Sequence, residues 1–209
     1  PTIVLDVKAS ALDGTYVGME IYITDNLGAG QRRTITAYTG VSRTATVTPL
    51  WEVIPNNNSV FEISALSVNV GAGNGVQYAD PVATGLPQFI CIGKEVIRYH
   101  TLTGDVLGWS SSTAARAQFG TPREDHKIND NVQYCFALID QSAAAAVEKL
   151  FNGGGVADAN LDLAGLAQQD EDWLGSACRI TACIAAPTLA ATLANELLKD
   201  LGMNSWWDP

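Results

Sequence analysis

At 209 residues, with 47% hydrophobic side chains, the chain can bury sizeable cores as one large domain or as two to three small ones. Its formal charge of −10 and isoelectric point near 4.5 exclude a general binder of nucleic acid or anionic membrane, since a surface poor in Lys and Arg attracts neither. The longest apolar runs, such as Ala182 to Ala186, fall far short of a bilayer span, and no signal peptide is recognisable.

Residues 1–70 read as an all-β module. Ile3, Leu5 and Val7 alternate, as do Met19, Ile21 and Ile23, and Thr34, Thr36 and Tyr38 stand against Ile35 and Ala37. Asp25 to Gly30 is a turn, because two glycines and an Asp-Asn pair concentrate tolerance of positive φ there. Ala45, Val47 and Trp51 mark another strand with an aromatic end. Pro55 to Ser59 is a polar turn before Val60 and Glu62, with Phe61 and Ile63 on the other face. Gly28-Ala29-Gly30-Gln31 lacks the lysine-serine pair and the following helix of a phosphate-binding loop, so a hairpin turn is the reading it supports.

Residues 71–88, with Gly71, Gly73, Gly75, Pro81 and Pro87, read as a Gly/Pro-rich linker, and residues 89–140 as a second β module. Phe89, Cys91, Glu95, Ile97 and Tyr99 fall on one face, against Ile90, Ile92, Val96 and Arg98, with Gly93 as a bulge or bend. Thr103-Gly104-Asp105 reverses the chain and Val106 to Trp109 returns it. After a polar loop from Arg116 to Asn131, a closing strand sets Val132, Tyr134, Phe136 and Leu138 against Gln133, Cys135, Ala137 and Ile139.

Residues 141–209 turn helical, giving a small α+β domain. Ser142 caps a helix with Val147, Leu150 and Phe151 on one face, ended by Gly153-Gly154-Gly155. A Leu-rich segment, Leu161 to Ala167, precedes a helix capped by Asp170 that carries Trp173, Leu174, Ala177 and Cys178. Ile180, Ala182 and Ile184 form a strand. Pro187 opens a last helix striped by Leu189, Leu193, Leu197 and Leu201 and closed by Gly202, before a strand at Trp206 and Trp207. The expected fold class is therefore α+β: two small, mainly antiparallel β modules followed by a small α+β domain.

Candidate chemistry is sparse. His100 and His126 are the only histidines, so any Ser-His-Asp or Cys-His site must use one of them. His126 has Glu124 and Asp125 beside it, but no nucleophile elbow accompanies them, and a loop hydrogen bond is the plainer role. Asp170, Glu171 and Asp172, with Glu124 and Asp125, could supply paired carboxylates for glycoside cleavage. A helix N-terminus accounts for the first three without catalysis, and they lack the spacing of a calcium-binding EF-hand loop. Cys91, Cys135, Cys178 and Cys183 could in number hold zinc or an iron-sulfur cluster, yet their spacing matches no ligand pattern and reduced core thiols are expected. Trp173, Trp206 and Trp207 suit core or intersubunit packing better than a sugar platform. No catalytic, cofactor-binding or metal-binding residue is assigned, and no cofactor.

The order of motifs carries more. Gly28-Ala29-Gly30-Gln31 with Arg33, Ile35 and Tyr38, then Ala45-Thr46-Val47, Trp51, Pro55 and Phe61-Glu62-Ile63, resembles a β module of tailed-phage tail, fibre and baseplate proteins. Ile92-Gly93-Lys94-Glu95-Val96, Gly104-Asp105, Arg116, Gly120-Thr121, His126, Asp130 and Val132 to Cys135 are similar in order to baseplate hub and tail-tip proteins. Ala117 stands after Arg116 where that family often has glycine. The run from Asp172-Trp173-Leu174 through Ile180, Pro187-Thr188 and Leu197-Leu198 to Trp206-Trp207-Asp208 resembles an α+β insertion of siphophage hub proteins. The resemblance implies a non-enzymatic structural component of a hub or tail tip, expected to be a central piece of a longer polypeptide. Its expected partners are other tail subunits or copies of itself, plausibly in a trimer, without nucleic acid or membrane insertion. Its place would be the virion tail, after assembly in the host cytoplasm. The alternative it leaves open is a fibre adaptor or glycan-binding module.

Overall fold

The computed structural model describes residues 1–127, 129–175, 178–185 and 190–200. Mixed α and β elements make up the chain, with antiparallel sheets throughout, as an α+β class requires. They gather into two compact units, each discontinuous in sequence: residues 1–88 with 97–118, and residues 89–96 with 119–209. The segment 89–140, read as one module, is thus shared between them. Short-range alternation marks strands but does not say which sheet each joins.

In the first unit β1 (Thr2–Val4), β2 (Glu20–Asp25), β3 (Arg32–Thr39), β4 (Thr44–Thr48) and β5 (Val60–Ser64) form a five-stranded sheet in the order β1-β4-β3-β2-β5. Leu5, Ile21, Ile23, Ile35, Tyr38, Ala45, Val47 and Trp51 form its core. Two sequence expectations shift here. Val7 is exposed, because the Asp6 carboxylate accepts from the Lys8 amide and turns the chain out of β1. Tyr38 joins Ile35 in the core because Ile35 pairs with Val47 and Ala37 with Thr46. Thr36 is then an extra residue, and this bulge reverses the alternation beyond it.

β6 (Ser67–Asn69), β9 (Thr101–Thr103) and β10 (Val106–Gly108) make a second sheet of this unit, in the order β6-β10-β9. The segment read as a linker is tied to it. The Asp105 carboxylate, in the turn between β9 and β10, accepts from the Gly73 amide at 3.0 Å and the Gly75 amide at 2.8 Å. Beyond it, α1 (Pro81–Thr84) is capped by Asp80, and the Tyr99 hydroxyl donates to the Ala79 carbonyl at 2.7 Å. Gly73 and Gly75, two of the three glycines within residues 71–75, read as flexibility in sequence. In place, they let the backbone approach a carboxylate.

Gly93 makes a full reversal where a bulge or bend was expected. β7 (Gln88–Ile92) and β8 (Glu95–Tyr99) flank Gly93 and Lys94, with Gly93 at φ 61°, the left-handed geometry of a two-residue hairpin turn. One helical turn, α2 (Ser112–Ala115), stands between β10 and the polar loop. In the second unit β11 (Val132–Gln141) pairs with β7 on one side and with β12 (Ile180–Ile184) on the other, giving the order β12-β11-β7-β8. α3 (Ala143–Gly153) is capped by Ser142, whose hydroxyl accepts from the Ala145 amide, and buries Ala143, Ala146, Val147 and Leu150. It packs against α5 (Ala190–Asp200), which turns Ala194 and Leu198 inward.

The cap of α4 (Leu163–Gln169) is Asp162, whose carboxylate accepts from the Gly165 amide at 2.9 Å. Asp170 is the C-cap of α4, where the chain continues into a π turn, Asp170–Leu174, and its side chain is not the N-cap expected of it. The side chains of Trp173 and Leu174, together with Ala177, Pro187, Leu189, Leu201, Gly202, Trp206 and Trp207, lie outside the description. Among the described residues no helix is long and apolar enough to cross a membrane.

Candidate functional site

Three clusters hold the residues whose chemistry the sequence singled out. The first lies in the second unit and surrounds His126. The loop 121–131 is strapped to the β7–β8 turn: the Val96 amide donates to the Thr121 hydroxyl at 3.0 Å, the Lys94 amide to the Glu124 carboxylate at 3.0 Å, and the Glu124 amide to the Glu95 carboxylate at 3.1 Å. Glu95, with no solvent exposure, also takes His126 Nε2 at 2.8 Å. Asp130 stands 3.9 Å from His126 Nδ1. Both ring nitrogens thus face carboxylates, so His126 is not poised to activate a hydroxyl or thiol. The carboxylate that holds it is Glu95, which lies 31 positions upstream and which the sequence reading placed only by strand alternation. Of the neighbouring acids, Glu124 serves the β7–β8 turn and Asp125 points to solvent.

The second cluster, in the same unit, is a row of thiols. β11 alternates Gln133, Cys135 and Ala137 on one face. Cys91 pairs with Gln133, Cys135 with Phe89, and Ala137 with Cys183. Cys91, Cys135 and Cys183 therefore step diagonally across β7, β11 and β12, and all three belong to one apolar cluster with Phe89, Val96, Ala137, Ile139 and Ala185. Cys178 lies before β12 and is not part of this cluster. All four cysteines are free thiols. The neighbouring Cys183 thiol and burial push Cys135 up, and the same neighbour draws Cys183 down; the Cys135 sulfur stands 3.9 Å from the Gln133 carbonyl. Burial pushes Cys91 up. Among the described residues no group of three or more His, Cys, Asp or Glu side chains is arranged to hold a metal ion.

The third cluster is in the first unit, where the motif of Gly28 to Gln31 becomes a lock. The Gln31 side chain donates to the Gly28 carbonyl at 3.0 Å and the Val53 carbonyl at 2.7 Å, and accepts from the Glu52 amide at 2.8 Å and the Val53 amide at 3.2 Å. Arg33 donates to the Leu50 carbonyl at 2.9 Å and to Gln31 Oε1 at 3.1 Å, with its guanidinium 5.3 Å from the Trp51 ring centroid. The glycine turn carries no phosphate cradle. It receives the loop 50–55, and the Ser59 hydroxyl adds a bond to the Leu27 carbonyl at 2.7 Å. At this end Leu27, Leu50, Val53, Ile54 and Val60 are exposed, Leu50 by 68% and Ile54 by 72%. No signal in the sequence marked these five as a group, because Leu27 lies more than twenty residues from the loop that bears Leu50, Val53 and Ile54 and from Val60 at the start of β5.

His100 is separate from all three. Burial and then the nearby Arg98 charge lower its pKa from the ordinary histidine value. No family model, curated protein or solved structure matches the chain.

Proposed function

We propose that the chain is a structural part of a phage tail baseplate hub or tail tip and that it supplies subunit-subunit interfaces for tail assembly. The observation that carries this reading is the use to which the resembling motif is put. Gly28, Gln31, Arg33 and Trp51 are spent on one internal lock, and the lock turns Leu27, Leu50, Val53, Ile54 and Val60 outward. A rigid loop pair with an apolar centre and the exposed polar rim of Glu52, Asn56, Asn57 and Asn58 has the make-up of a protein interface. Neighbouring copies of the chain or other tail subunits are its partners, and its place is the virion tail.

Light scattering on the purified chain, alone and mixed with tail subunits, tests the proposal. A stable oligomer or a co-complex that Leu50→Asp and Ile54→Asp dissolve is the expected result. A chain that stays monomeric, joins no tail subunit and binds a glycan array overturns it in favour of the adaptor reading.

A further inference from the structure

We propose that Cys183 and Cys135 are a redox-active thiol pair, with small disulfides as the oxidising substrate class. The placement comes from strand register. Ala137 pairs with Cys183, and Cys135 sits two residues back on the same face of β11, so the two thiols are diagonal neighbours on adjacent antiparallel strands. Both belong to the one apolar cluster, where Cys135 is buried and Cys183 is half-buried. Cys183, on the terminal strand β12, is the less buried of the two, so of this pair it is the thiol an external reagent reaches first. The pairing lowers the pKa of Cys183 and raises that of the more buried Cys135, so Cys183 reacts first.

The Cys183 thiolate attacks one sulfur of a small disulfide such as oxidised glutathione. The small molecule's S–S bond breaks, one glutathione thiolate leaves, and a mixed disulfide remains on Cys183. Cys135 then loses its proton to that leaving thiolate and attacks the Cys183 sulfur, expelling the second glutathione. Two protein thiols are oxidised to one disulfide and one small disulfide is reduced to two thiols. Bridging a diagonal needs β12 to slide slightly along β11. A terminal strand held by a single neighbour can do this, and its pairing is already irregular between Leu138 and Gln141. Cys91, the third thiol of the row, is engaged elsewhere, with its sulfur 3.4 Å from the Gly93 carbonyl.

The test is incubation of the reduced chain with oxidised glutathione, followed by intact mass and peptide mapping without reduction. Wild type is expected to lose the mass of two hydrogens and to yield one cross-linked peptide joining Cys135 to Cys183. Cys135→Ala is expected to stop at a glutathione adduct on Cys183 that lasts at least about tenfold longer than in wild type. Absence of reaction, a lasting adduct in wild type, or a bridge through Cys91 or Cys178 overturns the proposal. The wild-type map decides the matter even if a variant folds poorly.

Discussion

Glu95 holds His126 across 31 positions of sequence, with Oε2 at 2.8 Å from Nε2 and the carboxylate wholly buried. The same oxygen takes the Glu124 amide, so one side chain closes the loop 121–131 onto the hairpin. Glu95→Ala leaves two donors unanswered beside an apolar sheet, which costs about 2 to 3 kcal/mol. Urea unfolding measures that loss. Limited proteolysis at Arg123 and Lys127 is expected to speed up in the variant; unchanged cleavage would mean that Glu95 does not hold the loop.

Asp105 does the same work in the first unit, and pH exposes it. The Gly75 and Gly73 amides hold its pKa below the ordinary value of 3.8. A carboxylate depressed in the folded state contributes stability above its unfolded pKa and loses it as pH falls through the folded one. The stability gap between wild type and Asp105→Asn is therefore expected to be constant near neutrality, to shrink below about pH 4, and to close in stronger acid. Melting curves taken down a pH series check this, and a gap that does not change with pH refutes it.

Gly75 tests that contact from the other side. A Cβ there would meet the Gly104 carbonyl oxygen at 2.0 Å, a backbone atom that cannot swing aside. Gly75→Ala is expected to cost about 2 kcal/mol or more, as overpacking does. Gly73→Ala has no clash, only a φ of 78°, and is expected to cost less. Thermal denaturation of the two variants ranks them.

Gln31 ties four backbone groups of two loops at once. Gln31→Ala is expected to lose about 2 to 3 kcal/mol, since each partly shielded group goes without its partner. Gln31→Glu keeps the acceptor for the Glu52 and Val53 amides and loses the donor, so an intermediate loss is expected. Hydrogen exchange at the Glu52 and Val53 amides reports the two cases separately.

The helix caps separate two acids that look alike in sequence. Asp162→Ala removes the acceptor for the Gly165 amide and is expected to cost about 1 kcal/mol. Asp170→Ala breaks no N-cap and is expected to cost less, as calorimetry can show.

Much of this was written locally. Alternation of apolar residues marked β2, β4, β11 and β12, Ser142 marked the start of α3, and Thr103-Gly104-Asp105 marked the turn into β10, because each depends on neighbours within a few positions. The places where local reading slipped have one cause. The bulge at Thr36, the reversal at Gly93 and the docking of Gly73 and Gly75 on Asp105 are choices that partners far along the chain make.

By itself the sequence determined an α+β chain of short antiparallel strands followed by helices, with few residues suited to chemistry, since periodicity and turn residues act over short range. Only the tertiary structure decided which residues meet. Glu95 and not the acids beside it faces His126, three of four cysteines share one sheet face, and two loops combine into one exposed apolar end. Such meetings depend on strand register and on where buried polar groups find partners, and both are settled by contacts that no stretch of a few residues contains.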